Sequence, residues 1–232
     1  MSKELEKENA AHAALDYVED GMTIGLGTGS TAKYFVEALA EEIEDGLVIR
    51  GVPTSEQTRR LAEALGVPLV DVEQVDRLHL TVDGADEVDE HANLIKGGGA
   101  ALLREKIIAN ASDMMVVIAD SGKYVEALGQ FPLPVEVTPF GYTITAKKVY
   151  DALCKASVLK PMIKLRTDPH DRPILTDGGN YILDCQCGVI PEPAKAAAML
   201  ANVPGVVEHG LFIGIARTVI IGSDDGATVF EY

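Results

Sequence analysis

The feature that most constrains this fold is the alternation of short apolar segments with helical segments along the first half of the chain. Strand-like segments at 22–26, 78–83 and 113–120 alternate with helical patterns at 32–43, 55–66 and 100–111. Two shorter strands are predicted at 47–53 and 67–72. Such alternation indicates a parallel sheet covered by helices. The sequence therefore predicts an α/β fold.

The pattern changes near residue 131, where FPLPVEVTPF brings three prolines close together. Proline is typical of a domain boundary or of an edge strand. The segment then shows a helix, two strands joined by a turn at Gly178, Gly179 and Asn180, and another helix. This β-α-β-β-α order resembles a ferredoxin-like module. We predict a small α/β domain at 131–206, inserted into a larger domain formed by 1–130 and 207–232.

The composition of the chain limits the kinds of molecule that it is expected to bind. The net charge of −16 disfavours nucleic acid, because phosphate backbones are bound by basic surfaces. An anionic ligand would therefore need a local group of lysines and backbone N–H donors. No run of 18 apolar residues predicts a membrane span, and the charged N-terminal segment does not resemble a secretion signal. We expect a soluble cytoplasmic protein whose three cysteines are reduced.

The richest chemistry lies in DGADEVDEHANLIKGGGAALLREK, residues 83–106. Asp83 and Asp86 are carboxylates separated by Gly84 and Ala85, and Lys96 stands before Gly97, Gly98 and Gly99. Glu105 falls one and a half turns into the predicted helix. Backbone N–H groups and a lysine suit an oxyanion, and carboxylates can move protons. Taken separately, these could be a solvated turn, a hinge and an exposed helical residue. Together, at the end of a buried strand, they favour proton transfer on a small anion.

A second glycine-rich segment, GLGTGSTA, links a predicted strand to a predicted helix. Its residues Gly27, Thr28, Gly29, Ser30 and Thr31 could hold a phosphate, although a plain turn is an equal alternative. The spacing of a P-loop is absent. The dinucleotide pattern is met, but the second strand ends without the acidic residue that would bind a ribose.

Metal and redox chemistry are not indicated. The five histidines, at 12, 79, 91, 170 and 209, show no metal-binding spacing. Cys185 and Cys187 have no second Cys or His pair nearby that would complete a metal site. We interpret them as small buried hydrophobic residues. We expect neither a metal nor a cofactor.

Six motifs together resemble ribose-5-phosphate isomerase, type A: GLGTGSTA, DGADEVD, KGGGAALLREK, FPLPVEV, LTDGGNYILD and GVVEHGLF. The resemblance spans essentially the whole chain. It implies a Rossmann-like domain with an inserted α/β domain, a homo-oligomer (a dimer, possibly a tetramer), and cofactor-free interconversion of ribose 5-phosphate and ribulose 5-phosphate in the pentose phosphate pathway.

The resemblance also implies roles for particular residues. Glu105 would be the proton acceptor, and Lys123 and Lys7 would contact the substrate. The remaining substrate-binding positions would be Thr28, Gly29, Ser30, Thr31, Asp83, Gly84, Ala85, Asp86, Lys96, Gly97, Gly98 and Gly99.

The chemistry of an aldose–ketose isomerisation agrees with these roles. One carboxylate can remove a proton from one carbon and return it to the next, so a single base suffices. We expect burial to raise the pKa of Glu105 roughly into the 6–7 range of tuned carboxylate bases. Lys96 and glycine N–H groups could stabilise the enediolate, while Asp83 and Asp86 assist ring opening. The alternatives are another sugar-phosphate isomerase, a deaminase, a coenzyme A transferase of similar fold, or a non-catalytic sugar-phosphate sensor.

Overall fold

The computed structural model describes residues 3–232, so the first two residues of the predicted domain 1–130 lie outside it. The helices are α1 (Lys3–Ala14), α2 (Ser30–Glu44), α3 (Glu56–Ala64), α4 (Leu102–Ala111), α5 (Tyr142–Lys155) and α6 (Pro193–Ala201). The strands are β1 (Thr23–Leu26), β2 (Arg50–Pro53), β3 (Leu78–Gly84), β4 (Glu87–Val88), β5 (Leu94–Ile95), β6 (Ser112–Asp120), β7 (Leu133–Val137), β8 (Met162–Leu165), β9 (Tyr181–Gln186), β10 (Val206–His209), β11 (Leu211–Phe212), β12 (Thr218–Ser223) and β13 (Gly226–Glu231). In the described part of the chain, no helix is both long enough and apolar enough to cross a membrane.

The chain forms two compact units. The first comprises the chain up to Ala85, then Arg104–Tyr124 and Gly214–Tyr232. The second comprises Asp86–Leu103 and Val125–Ile213. The division into domains 131–206 and 1–130 with 207–232 stays a prediction.

The first unit is built on a six-stranded sheet in the order β13-β12-β6-β3-β1-β2. Every neighbouring pair is parallel except β12 with β13. Ile24, Leu80 and Ile118 from the sheet form a buried core with Phe35 and Leu39 of α2. The predicted α/β fold with a parallel sheet is therefore confirmed.

The second unit contains the predicted ferredoxin-like module. Its elements follow the order β7-α5-β8-β9-α6-β10, and the four strands form an antiparallel sheet in the order β10-β7-β9-β8. A separate small sheet has the order β11-β5-β4. Ile95 and Leu211 of the small sheet belong to the same buried cluster as Val135, Leu153 and Leu183, so the two sheets share one core.

One local prediction was wrong, and one of the two alternatives given for the prolines, the edge strand, is excluded for Pro134. The apolar segment 67–72 forms only a single bridge, between Gly51 and Leu69. Pro134 does not lie in an edge strand, because β7 is flanked by β10 and β9. The Pro134 carbonyl accepts from Gly210 N–H at 2.8 Å. The nitrogen and the carbonyl of a strand residue point to the same side, so the proline nitrogen also faces β10. The register between β10 and β7 ends at Val135, so the N–H that Pro134 lacks interrupts no pair of that ladder.

The helix predicted at 100–111 begins two residues later, at Leu102. Before it, Ala100 N–H donates to the Gly97 carbonyl at 3.0 Å, and Ala100 has a left-handed φ of 58°. The three glycines therefore form a turn ahead of the helix. Glu105 lies in the first helical turn rather than further along it.

Candidate active site

Parallel pairing brings the carboxyl ends of four strands to one edge of the first unit's sheet. Leu26 at the end of β1 is in register with Pro53 of β2 and with Val82 of β3, and Val82 is in register with Val116 of β6. Binding sites of parallel sheets lie beyond such carboxyl ends. The sequence-predicted loop 27–31 follows β1, Asp83 lies near the carboxyl end of β3, and the turn containing Lys123 follows β6.

The glycine-rich loop joins β1 to α2. Gly29 has a φ of 116°, a backbone conformation that favours glycine, and α2 begins at Ser30. Gly29 and Ser30 are exposed, whereas Thr28 and Thr31 are buried. The N–H groups of a first helical turn have no partner within the helix and carry its positive dipole end. The loop therefore offers an exposed place for an anionic group.

Asp83 lies directly beside this loop and is fully buried. Its Oδ1 accepts from Thr28 N–H at 3.0 Å and from Gly84 N–H at 2.7 Å. A Cβ on Gly27 would lie 2.3 Å from the same oxygen, so only glycine fits there. Two backbone donors thus fix one carboxylate next to the exposed turn of α2. Hydrogen bonds of this charge-assisted kind are among the stronger ones in proteins.

Three hydroxyl groups support the loop by surrounding the hydroxyl of Thr28. Thr28 Oγ1 lies 2.8 Å from both Thr54 Oγ1 and Ser55 Oγ, and 3.1 Å from Thr58 Oγ1. Thr58 Oγ1 donates to the Gly27 carbonyl at 2.8 Å. The Thr28 hydroxyl is therefore occupied by protein groups. Sequence reasoning missed this cluster, although Ser55 shows the signature of a helix N-cap, accepting from Thr58 N–H at 3.0 Å.

Glu105 is 3% exposed and lies in the first turn of α4. One turn later, Ile108 packs so closely on β1 that a Cβ on Gly25 would lie 2.5 Å from Ile108 Cγ2. Residues three apart share a helix face, so Glu105 belongs to the face of α4 that packs against the sheet. The sequence predicted neither this close contact nor the burial of the neighbouring Lys106, which is 8% exposed.

Lys123 closes a short turn, Ser121–Lys123, that follows β6. Asp120 accepts from Gly122 N–H at 3.2 Å, and Glu6 of α1 accepts from Ser121 N–H at 2.8 Å. Hydrogen bonds from Ser121, first from its side chain and then from its backbone, hold the pKa of Glu6 below its ordinary value. Two carboxylates therefore fix the turn that presents Lys123.

Lys7, on the same helix, donates to Glu4 Oε1 at 2.8 Å. Glu4 Oε2 accepts from the Tyr34 hydroxyl at 2.6 Å, and this bond raises the pKa of Tyr34 to about 12. The hydrogen bond from Lys7 lowers the pKa of Glu4. The structure thus places Lys7 in a surface cluster between α1 and α2.

The predicted residues Gly84 and Ala85 belong to the first unit, whereas the second unit holds Asp86, Lys96 and the three glycines that follow Lys96. Lys96 is 2% exposed, and its Nζ lies 5.6 Å from the centroid of the Phe212 ring, within the range of a cation–π contact. Its backbone N–H donates to the Gly210 carbonyl at 2.9 Å. A Cβ on Gly210 would lie 2.2 Å from the Lys96 carbonyl, so the GLF segment must carry glycine at this position.

Asp86 is half-buried and is oriented by the glycine turn that follows Lys96. Its Oδ2 accepts from Gly98 N–H at 2.8 Å, and its own N–H donates to the Ile95 carbonyl at 2.8 Å. A Cβ on Gly98 would lie 2.6 Å from Asp86 Oδ1. Gly97, with a φ of 102°, is buried, whereas Gly98 and Gly99 are exposed.

Among residues 3–232, no group of three or more His, Cys, Asp or Glu side chains is placed to hold a metal ion. Cys185 and Cys187 are buried. Burial, followed by the nearby Glu87 carboxylate, raises the pKa of Cys187 to about 12. Burial also raises the pKa of Cys185. Both thiols are therefore protonated near neutral pH.

The fold and these groups define a class of α/β protein in which a glycine-rich loop that suits an anion lies beside a buried carboxylate held by two backbone N–H donors. Comparison with known proteins identifies the family. Residues 50–226 match the family described as ribose 5-phosphate isomerase A (phosphoriboisomerase A). The chain is 56% identical over 227 residues to "Ribose-5-phosphate isomerase A" of Maricaulis maris, covering 97% of each chain. It is 53% identical over 231 residues to the protein of that name from Nitrobacter hamburgensis, covering 100% of this chain and 99% of the other.

Comparison with solved structures identifies the same family. A D-ribose-5-phosphate isomerase in complex with phospho-erythronic acid superposes with a TM-score of 0.93, at 40% identity and complete coverage of both chains. Ribose 5-phosphate isomerase A from Methanocaldococcus jannaschii gives a TM-score of 0.90 at 36% identity, again with complete coverage of both chains. The chain belongs to the ribose 5-phosphate isomerase A family and is an isomerase.

Proposed function

We propose that this isomerase interconverts D-ribose 5-phosphate and D-ribulose 5-phosphate through an enediolate, as a step of the non-oxidative pentose phosphate pathway. The observation that carries the proposal is the hydrogen bond from Thr28 N–H to Asp83, at 3.0 Å. It ties a buried carboxylate to an exposed anion-binding turn, so a bound phosphate group and proton-transfer chemistry would share one edge of the sheet.

In the proposed reaction, the exposed start of α2 at Gly29 and Ser30 holds the phosphate. The ionised Glu105 removes the proton from C2 of the open-chain aldose. The electron pair of that C–H bond forms a C1–C2 double bond, and the C1 carbonyl becomes an enediolate oxygen. A hydroxyl proton passes from O2 to O1, and Glu105 returns its proton to C1. The product is the 2-ketose, with no net change in atoms or electrons.

Burial suits Glu105 to this role, because a carboxylate kept from water is a stronger base than one in solution. Asp83 is proposed to exchange hydroxyl protons during ring opening. Asp86 of the second unit is proposed to assist in the same way, and Lys96 to stabilise negative charge on the enediolate. Lys123 and Lys7 are proposed as substrate contacts.

An isomerisation of this kind needs no electron acceptor, so we propose that no cofactor takes part. We also propose that the protein acts in the cytoplasm as a homo-oligomer, a dimer or possibly a tetramer, without nucleic-acid or membrane partners. Light scattering during gel filtration gives the mass of the assembly, and a monomer would contradict this part of the proposal.

A coupled assay for ribulose 5-phosphate tests the reaction, with and without EDTA. We expect turnover of ribose 5-phosphate in both conditions. Ser30→Glu should raise KM, because a negative charge would then occupy the anion-binding turn. Thr228→Glu, on an exposed position of β13, adds the same charge elsewhere and should leave KM unchanged. Absence of turnover refutes the reaction, and an unchanged KM in Ser30→Glu removes the loop from the phosphate site.

A further inference from the structure

Arg166, directly after β8, makes an unusually complete set of hydrogen bonds within the second unit. Its Nη1 donates to the carbonyls of Gly97 and Gly98, at 2.9 and 3.0 Å. Its Nε and Nη2 donate to the two carboxylate oxygens of Asp184 on β9, at 2.9 and 2.5 Å. One guanidinium group therefore joins the antiparallel sheet to the glycine turn.

Both the backbone and the side chain of Arg166 are held in place. Arg166 N–H donates to the Ile182 carbonyl at 2.8 Å, and the Arg166 carbonyl accepts from Ile174 N–H at 3.0 Å. The side chain is only 13% exposed. A two-pronged pairing with a carboxylate also fixes the plane of the guanidinium. Arg166 thus reaches the glycine turn in one orientation.

The glycine turn passes this constraint on to Asp86. The Gly97 carbonyl, which Arg166 holds, and the Gly98 N–H, which donates to Asp86 Oδ2 at 2.8 Å, belong to the same peptide group. A peptide group is planar, so fixing its carbonyl on one side fixes the direction of its N–H on the other. A positive charge at the carbonyl also polarises the group and strengthens the N–H as a donor.

We propose that Arg166 is a positioning residue for the isomerisation, holding the Asp86 carboxylate in its working orientation through the Gly97–Gly98 peptide group. The proposal rests on the role given to Asp86 in the proposed function. Glycine turns are flexible, and Asp86 is only half-buried, so without Arg166 neither the turn nor the carboxylate has the same support. Small displacements of reacting groups are costly, at up to about 100-fold in rate.

The test compares Arg166→Met with Arg172→Met. Arg172 also pairs with an aspartate of the second unit, Asp168, but its side chain is 74% exposed and it does not contact the glycine turn. We expect Arg166→Met to lower kcat by about 10- to 100-fold with KM nearly unchanged. Arg172→Met should keep normal turnover. Arg166→Lys, which retains a charged donor, should recover part of the loss.

A double-mutant cycle separates positioning from general support of the fold. Asp86→Asn keeps an acceptor for Gly98 N–H but removes the carboxylate, so adding Arg166→Met to it should cost little further kcat. If the two losses simply multiply, Arg166 does not act through Asp86 and the inference is wrong. If Arg166→Met does not fold, the same cycle is run with Arg166→Lys, with the same two outcomes. A normal kcat in Asp86→Asn alone would instead refute the role of Asp86 in the proposed function.

Discussion

Thr28 N–H donates to Asp83 Oδ1 at 3.0 Å, although the two residues are 55 positions apart in the chain. This bond joins the loop after β1 to the end of β3, and it exists because Gly27 leaves room for the carboxylate. In the proposed reaction, this one backbone amide would couple phosphate binding to acid–base chemistry.

Gly27→Ala should break this coupling. The new Cβ would lie 2.3 Å from Asp83 Oδ1 and 2.5 Å from Asp83 Cα, so loop and strand must separate. We expect kcat/KM to fall by about 100-fold. Gly46→Ala is the control, because its Cβ would have no atom within 4 Å and its φ of 115° carries only backbone strain. It should lose some stability while keeping its activity, and equal activity in both variants would contradict the prediction.

Glu105→Gln should abolish proton transfer while keeping the shape of the side chain. General-base catalysis is typically worth about 10²–10⁴-fold, so kcat should fall at least that far. Calorimetry with phospho-erythronic acid, the ligand of a solved relative, should show little change in affinity. Glu63→Gln, on an exposed position of α3, should behave as the unaltered enzyme. Normal turnover in Glu105→Gln would assign the base to another carboxylate.

Glu6 predicts a pH dependence of stability. Hydrogen bonds from Ser121 lower the pKa of Glu6 in the folded protein below its ordinary value of 4.5. A lowered pKa contributes stability that is present above 4.5 and is lost as the pH falls through the folded-state pKa. Glu6→Gln should therefore be less stable at neutral pH and lose less stability on acidification. Denaturant titrations at several pH values measure this, with exposed Glu8→Gln as the control. If the free energy of unfolding changes with pH in the same way for the unaltered protein and for Glu6→Gln, the predicted contribution of Glu6 is disproved.

Thiol labelling should distinguish the three cysteines. Cys154 is exposed and should react with a thiol reagent in the folded protein. Cys185 and Cys187 are buried, and burial raises the pKa of each thiol, so they should react only after unfolding. Mass spectrometry of labelled peptides locates the modified residues. Labelling of Cys187 in the folded protein would be incompatible with its burial.

Local patterns were enough to predict the parallel sheet, the glycine-rich loop after β1 and the glycine turn that the structure closes between Thr176 and Asn180. Local patterns could not predict contacts between segments that are distant in the sequence. Arg166 lies 69 positions from Gly97, and no local pattern distinguishes it from a surface arginine. Thr58 likewise meets the Gly27 carbonyl only because β1 and β2 pair in parallel. The edge-strand alternative was wrong for Pro134, because its nitrogen faces a place where the ladder between β7 and β10 has already ended.

The order of the strands has a consequence for biosynthesis. β12 lies between β6 and β13 in the first unit's sheet, yet it consists of Thr218–Ser223. A ribosome makes this strand after every residue of the second unit, which ends at Ile213. The emerging chain can complete the second unit while β6 still has an unpaired edge, and unpaired edges promote aggregation. The nascent enzyme would thus be most vulnerable to misassembly just before its final strands leave the exit tunnel.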